Sequence, residues 1–214
     1  MKKKAVIIIV IAVVILILDG AGVFYMMHKK NVEDNSFEAT QTAICIKKDG
    51  TVVEAGIEEF DSTVYDQLEL DAFVHAEVAD YNASAGAEKI KVQQITVENN
   101  IATMYLEYSS PQDYAAFHGV TFFVGTMQEA IDAGYMEDIE FYAAYEETLG
   151  RKMTVEEISA EGFKVLVMKE HIGVYIKGKI HYISSNMTLA DKDTAFPDEN
   201  VPDTGGYIVV IFEQ

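Results

Sequence analysis

A long apolar stretch near the amino terminus is the feature that most limits how this chain can fold. Residues 5–27 form a run of 23 residues in which Asp19 is the only charged residue, with lysines at positions 2–4 before it and at Lys29 and Lys30 after it. As a helix with a rise of about 1.5 Å per residue, the run spans roughly 35 Å, enough for a hydrocarbon core of about 30 Å. Residues 1–30 are therefore predicted to be a transmembrane anchor.

A second interpretation of the same stretch stays open. Residues 5–18 have the character of the apolar region of a signal peptide, with Gly20 and Gly22 at the −3 and −1 positions of a cut after Gly22. Both interpretations place the chain from Asn31 onward outside the cytoplasm, and the lysines before the run favour an amino terminus inside. We expect a single-pass protein of the cell membrane with an extracytoplasmic C-terminal domain, or a secreted domain if the signal is cleaved.

The charge of the outer part restricts its partners. After residue 30 the chain has 11 basic and 34 acidic residues, a formal net charge of −23. Such a charge repels nucleic acid, whose binding depends on neutralising phosphates, and repels anionic lipid surfaces. The expected partners are the membrane, through the N-terminal helix, and an envelope protein or wall polymer. Cationic partners or divalent metal ions suit the charge best.

The single cysteine, Cys45, excludes an internal disulfide, so the domain must be stabilised by its core. Its context, Thr42-Ala43-Ile44-Cys45, is not a lipoprotein cleavage site and predicts a half-buried strand position.

Turn and periodicity patterns predict the elements that follow a polar tether at residues 31–41. Two hairpins are expected, from residues 42–48 and 51–57 across Asp49 and Gly50, and from residues 89–97 and 101–108 across Asn99 and Asn100. The apolar periodicity of residues 64–82 predicts the main helix, with an N-terminal cap at Asp61 or Ser62 and a C-terminal end at residues 83–86. Its apolar face is formed by Leu70, Phe73, Val74, Val78 and Tyr81.

Short helices and further strands complete the prediction. Ser110 and Pro111 open a helix that ends near His118, and capping boxes begin at Thr126 and Thr154. Strands are expected at residues 120–124, 163–169 and 207–212, and residues 172–177 and 179–184 form a hairpin around Gly178. Residues 191–206 are predicted to be a loop, and residues 135–149 allow no assignment. Residues 42–214 are thus expected to be an extracytoplasmic α+β domain, with a mainly antiparallel sheet packed by one long and several short helices.

Few residues suggest a site. Five acids within thirteen residues could supply oxygen ligands for Ca²⁺, namely Asp191, Asp193, Asp198, Glu199 and Asp203. Ala195, Phe196 and Pro202 occupy positions where a helix-loop-helix calcium motif needs an oxygen ligand, a glycine and a glutamate, so a solvated loop is the alternative. No cofactor is expected beyond this weak calcium candidate.

Residues 173–179 match the glycine and lysine spacing of a phosphate-binding loop, but Ile180 replaces its Ser or Thr and the flanks predict strands.

An aromatic cluster at Phe141, Tyr142 and Tyr145 is a candidate recognition surface for sugars or peptides. The histidines of the outer part are scattered: His75, near Glu77, lacks metal-ligand spacing, and the expected hairpin register separates His171 from His181. No catalytic motif is present. The sequence therefore predicts a non-enzymatic, membrane-tethered envelope domain that acts by binding or assembly. The alternatives are an envelope enzyme acting on glycans through acids such as Glu140 or Glu146, and a calcium-dependent surface module.

Four segments carry a resemblance to a known family. YDQLELDAFVHAEVADYNASAG, YAAFHGVTFFVGTMQEAIDAGY and GKIHYISSNMTLADKDTA, followed by the terminal YIVVIFEQ, resemble a family of extracytoplasmic proteins, often lipoproteins, of anaerobic Gram-positive bacteria. The likeness covers most of residues 64–212, contains no sharp functional motif, and departs from the lipoprotein members by lacking their cysteine. It implies a cell-surface location and no activity or site residues.

Overall fold

The structure, a computed structural model, describes residues 37–145, 148–158 and 162–214. They form an α+β domain with two mainly antiparallel sheets and three α-helices. The predicted anchor and the cut after Gly22 lie outside these residues. Within the described part of the chain, no helix is both long and apolar enough to cross a bilayer.

The described residues form the following helices and strands. The helices are α1 (Gln67–Ala85), α2 (Pro111–His118) and α3 (Met127–Asp132), with a 3₁₀ turn at Val155–Glu157. The strands are β1 (Ala43–Ile46), β2 (Val52–Glu59), β3 (Ile90–Glu98), β4 (Ile101–Tyr108), β5 (Phe122–Thr126), β6 (Phe141–Tyr145), β7 (Thr148–Met153), β8 (Lys164–Met168), β9 (Gly173–Ile176), β10 (Lys179–Ser184), β11 (Met187–Asp191), β12 (Thr194–Pro197) and β13 (Ile208–Glu213).

Two sheets, rather than the single sheet expected, organise these strands. The seven-stranded sheet has the order β11-β12-β9-β1-β2-β4-β3, and the six-stranded sheet has the order β5-β8-β13-β10-β6-β7. In the first, β1 pairs antiparallel with β2 and parallel with β9. In the second, β13 lies between β8 and β10 and is buried along Ile208–Phe212. The strand predicted at residues 207–212 is thus confirmed, as a central strand covered on both faces.

Alternation along the strands builds two cores. Ile44 of β1 and Val174 of β9 share the larger core with Leu166 of β8 and Val210 of β13, so the two sheets pack face to face. The alternate residues of β8 and β13, such as Val165, point to the other face of the six-stranded sheet. There they build the second core, which Ala130 of α3 covers. The α1 side chains Val74 and Val78 join the larger core.

Local sequence signals are confirmed in several places. Both early hairpins form, with Gly50 at φ 88° and with Asn99 and Asn100 at φ 53° and 62°. Ser110 caps α2 by accepting from the N–H of Asp113, and Gly119, with φ 68°, caps its C-terminal end. The capping box of Thr126 and Glu129 also forms.

Other boundaries differ from the prediction. α1 begins at Gln67 and not at residue 64, because Asp66, rather than Asp61 or Ser62, accepts from the N–H groups of Leu68 and Glu69. The strand expected at residues 120–124 is Phe122–Thr126, and the loop expected at residues 191–206 contains β12, which pairs with β9 and β11. Residues 135–149, left unassigned, contain β6 and the start of β7.

The predicted hairpin around Gly178 is wrong. β9 belongs to the seven-stranded sheet and β10 to the six-stranded sheet, so the chain passes from one sheet to the other at this glycine. A Cβ on Gly178 would lie 1.9 Å from the carbonyl oxygen of Glu213. The glycine permits a close approach of two backbone segments rather than a tight turn within one sheet.

Candidate functional site

A buried acid and base meet below α1, on the face of the seven-stranded sheet that the helices cover. Glu54 of β2 lies in register with Leu106 of β4, and Tyr108 of β4 lies opposite Val52. His118 is the last residue of α2, which follows β4 after two residues. The short connection between β4 and α2 therefore brings the imidazole over the carboxylate.

Three polar atoms form a close triangle at this place. The hydroxyl of Tyr108 donates to Oε2 of Glu54 at 2.5 Å, and Nε2 of His118 lies 3.0 Å from the same oxygen and 2.8 Å from the Tyr108 hydroxyl. The side chain of Glu54 is 2% exposed and that of His118 is 10% exposed. An ion pair shielded from water to this degree is strongly coupled.

The protonation states follow from these contacts. Burial raises the pKa of Glu54. The charge of His118 and the hydrogen bonds from His118 and Tyr108 lower this pKa by more than burial raises it, so the net shift is downward. Burial lowers the pKa of His118, but Glu54 outweighs it and the net shift is upward. The pair is therefore a carboxylate with an imidazolium.

Two more titratable groups surround the pair. Burial raises the pKa of Tyr114 well above 10, and the charges of Glu54 and Glu170 add to that shift. Burial also raises the pKa of Glu170, with the charge of His118 acting in the opposite direction. Oε1 of Glu170 is buried and takes no hydrogen bond from any described residue. The pKa shifts of Glu54 and Glu170 therefore have opposite directions.

A cleft of about 330 Å³ leads from the surface to this pair. Its apolar walls come from α1, β4 and α2, and consist of Phe73, Met104, Leu106 and Phe117. Glu54 and His118 lie at its buried end, and the exposed side chains of Glu77 and Asp80 lie at its mouth. Phe73, Glu77, Asp80 and Ser84 recur at helical spacing, so one stripe of α1 lines one side.

Two sets of hydrogen bonds hold α1 above the sheet. The side chain of Asn82 accepts from the N–H groups of Lys89 and Ile90 and donates to the carbonyl of Ile90, at 2.7 to 2.9 Å. The hydroxyl of Tyr81 donates to Asp113 at 3.2 Å, which links α1 to the first turn of α2. These contacts attach the C-terminal end of α1 to β3 and α2.

The acids proposed for calcium do not gather. Asp191 and Asp193 lie near the turn between β11 and β12, Asp198 accepts from Asn200, and Asp203 lies 3.4 Å from His171. Glu199 is exposed in the following turn. Across residues 37–145, 148–158 and 162–214, no group of three or more histidine, cysteine or acidic side chains is placed to hold a metal ion.

The aromatic cluster is also divided by the fold. Phe141 is fully buried in the second core, Tyr142 packs against the larger core, and the ring of Tyr145 is 63% exposed. Glu140 forms an exposed ion pair with Lys152, and Glu146 lies outside the described residues. The structure does not bring these side chains into one recognition surface.

The remaining single residues are placed as follows. His75 is exposed on α1, 3.9 Å from Asp71, and His181 stacks on Phe163 with ring centroids 4.2 Å apart. Cys45 is a strand residue as predicted, but it is 1% exposed rather than half-buried. Residues 173–179, with their phosphate-loop spacing, form β9 and the passage to β10.

Comparison with known proteins adds no relative. No protein-family model matches the sequence, no curated protein matches it, and no solved structure matches the fold. Conclusions about function therefore depend on the site itself.

Proposed function

We infer that this chain is a membrane-tethered domain of the cell envelope that acts by binding, and that the α1 cleft receives a small ligand. The observation that carries the binding role is the cleft itself, which combines apolar walls with a few polar groups that converge at its buried end. Its volume of about 330 Å³ falls within the usual range of small-molecule sites.

The location rests on the sequence. An apolar run of 23 residues flanked by lysines is long enough to span a bilayer, and the strong negative charge of the outer part favours its solubility. The resemblance to extracytoplasmic proteins of Gram-positive bacteria supports the same location. An envelope protein or a wall polymer is the partner that a tethered domain could reach.

Protease treatment of intact protoplasts tests the location. We expect an added protease to remove the domain from intact protoplasts that carry the full chain, because the domain faces outward. Degradation only after lysis would place the domain inside and contradict the proposal. A cytoplasmic marker protein serves as the control for intact membranes.

Methyl NMR of the full chain tests the binding role. Met104 lines the cleft, whereas Met187 is buried in the larger core outside it. A panel of small neutral, cationic and anionic compounds is added to protein labelled at the methionine methyl groups. We expect at least one class to shift Met104 in a saturable manner while Met187 stays in place. A panel that leaves Met104 unmoved would contradict the binding role.

An acid–base enzyme is the second candidate function. It is favoured by one observation, that His118 at the end of the cleft is held between Glu54 and the hydroxyl of Tyr108. Such a dyad could move a proton during cleavage of a glycan. Release of reducing ends from wall polymers by the wild type, and its loss in Glu54→Gln, would support this function over binding alone.

A further inference from the structure

We propose that the ligand of the cleft is a small amphipathic cation, a primary amine carried on a short apolar body. This assignment rests on the proposed binding role and names its ligand class. The ammonium group would bind Glu54 at the buried end, attracted by the charges of Glu77 and Asp80 at the mouth, and the apolar body would lie between the walls of the cleft.

The charge of the cleft favours a cation. Glu54 is balanced by His118, but Glu77 and Asp80 at the mouth add two further carboxylates. No lysine, arginine or histidine among the described residues lies within 4.0 Å of either carboxylate. The cleft therefore has a net negative charge, which attracts a cation and repels a carboxylate or phosphate ligand.

Glu54 offers a hydrogen-bond acceptor at the buried end of the cleft. Both hydrogen bonds of Glu54 fall on Oε2, and no described residue donates to its Oε1. Glu54 nonetheless lines the cleft and is 1% exposed. An ionised carboxylate has roughly four acceptor sites, so Oε1 is available for an N–H donor brought by a ligand. A charge-assisted bond of this kind is about twice as strong as a neutral one.

The walls of the cleft are apolar and partly aromatic. The rings of Phe73 and Phe117 face the cleft together with Met104 and Leu106. Aliphatic carbon atoms gain from contact with this surface, and an ammonium group gains from lying over an aromatic face. A bare metal ion would gain nothing from these walls, and the described acids do not form a metal site. The combination selects a cation with an apolar body.

Three probes of equal length separate charge from shape: n-pentylammonium, pentan-1-ol and pentanoate. The full chain is held in nanodiscs of zwitterionic lipid, which removes the electrostatic attraction of the amine to the lipid, and each probe is titrated against the Met104 methyl signal. We expect pentylammonium to bind at least about tenfold more tightly than pentanol, which corresponds to roughly 1.4 kcal/mol, and pentanoate to bind most weakly.

A charge variant and its matched control complete the experiment. Glu77→Gln/Asp80→Asn should weaken pentylammonium binding about tenfold and leave pentanol binding unchanged, because exposed carboxylates act through charge. Glu69→Gln/Asp71→Asn removes two charges from the same helix outside the cleft and should change neither affinity by more than about twofold. An unchanged Met187 signal shows that each variant is folded.

The outcomes separate the two proposals. Equal binding of pentylammonium and pentanol would overturn the cation assignment while keeping the cleft as a binding site. Absence of any Met104 shift with all three probes, together with failure of the wider panel, would overturn the binding role itself. Tighter binding of a lysine-containing pentapeptide than of pentylammonium would overturn the assignment to a small free amine.

Discussion

At the scale of single residues, the pair of Glu54 and His118 determines which substitutions the buried interior can accept. Each group is buried, and each depends on the other for its charge. Taking a carboxylate out of water costs several kcal/mol unless a partner compensates for the lost hydration. Removing one member should therefore cost much more than removing both.

The variant His118→Leu should lower the free energy of unfolding by about 3–5 kcal/mol at pH 6, because it leaves Glu54 charged or forces it to take up a proton. The double variant Glu54→Gln/His118→Leu should recover most of that loss, since the new side-chain amide still accepts from Tyr108 and no charge stays buried. Urea unfolding of the full chain in detergent, followed by tyrosine fluorescence, measures both. Equal cost of His118→Leu in the wild-type and Glu54→Gln backgrounds would show that the two groups are not coupled.

Stability should also depend on pH in a defined direction. The pKa of His118 is raised by Glu54 above its ordinary value of 6.5, so its contribution is complete below pH 6.5 and is lost as pH rises through the raised pKa. The pKa of Glu54 is lowered below 4.5, so its contribution is present above pH 4.5 and is lost as pH falls through the lowered pKa. The pair therefore stabilises the domain most between pH 4.5 and 6.5.

Thermal unfolding of the wild type and of Glu54→Gln/His118→Leu at a series of pH values measures this dependence. The difference in stability between them should fall as pH rises above 6.5, because the imidazole loses its proton in the wild type alone. His75, His171, His181 and Glu170 are present in both proteins. A difference that stays constant across this range would contradict the assignment of an imidazolium.

The sequence contained only a weak signal for this site. Glu54 follows Val53 in a strand pattern and shares a face with Val52, so an inward carboxylate could have been noticed. Its partner could not, because the contact with His118 depends on the register of β2 with β4 and on the path from β4 into α2. Neither is encoded by spacing along the chain. Glu77 shares a helical stripe with Phe73, but its place beside the cleft depends on how α1 packs on the sheet.

At the scale of elements, the passage from β9 to β10 is the connection most sensitive to substitution. The variant Gly178→Ala should destabilise the domain by about 1–3 kcal/mol or more, because the new methyl group meets the backbone carbonyl of Glu213 and not a flexible side chain. Gly56→Ala is the matched control. A Cβ there would lie 3.5 Å from the Met104 methyl group, an ordinary contact, in a strand interior where alanine is favoured over glycine.

Urea unfolding of the two variants distinguishes packing from backbone freedom. A loss of stability in Gly178→Ala, with Gly56→Ala equal to or more stable than the wild type, would agree with the close approach at Glu213. Equal behaviour of the two variants would show that the sheets can separate at this point without cost.

The predicted elements are accurate where the interactions that define them join residues close together in the sequence. Asn99 and Asn100, Ser110 and Pro111, and Thr126 and Glu129 act through contacts within a few residues, and their turns and caps were predicted. The path at Gly178 was not, because two strands joined by a glycine resemble a hairpin until their partners are known. Pairing of β9 with β1 is a contact between residues about 130 positions apart, which local patterns do not specify.

At the scale of the whole molecule, Cys45 reports on whether the two-sheet domain opens as a unit. It lies in β1, which pairs on one side with β2 and on the other with β9, and it is 1% exposed. Burial raises the pKa of its thiol from 9.0 to about 11. Because the thiolate is the reactive species, that shift alone lowers the thiolate fraction at pH 8 by about 100-fold.

Iodoacetamide should therefore fail to modify Cys45 in the folded full chain at pH 8. As urea is added, modification of Cys45 should appear over the same urea range in which tyrosine fluorescence reports unfolding. The reason is that exposing a central strand requires both neighbouring strands to separate, which is global rather than local opening. Ser62→Cys in a Cys45→Ser background is the control: residue 62 is exposed before α1, so its thiol should react in the absence of urea. Modification of Cys45 well below the unfolding transition would show that β1 opens independently of the two sheets, and that the domain is not a single cooperative unit.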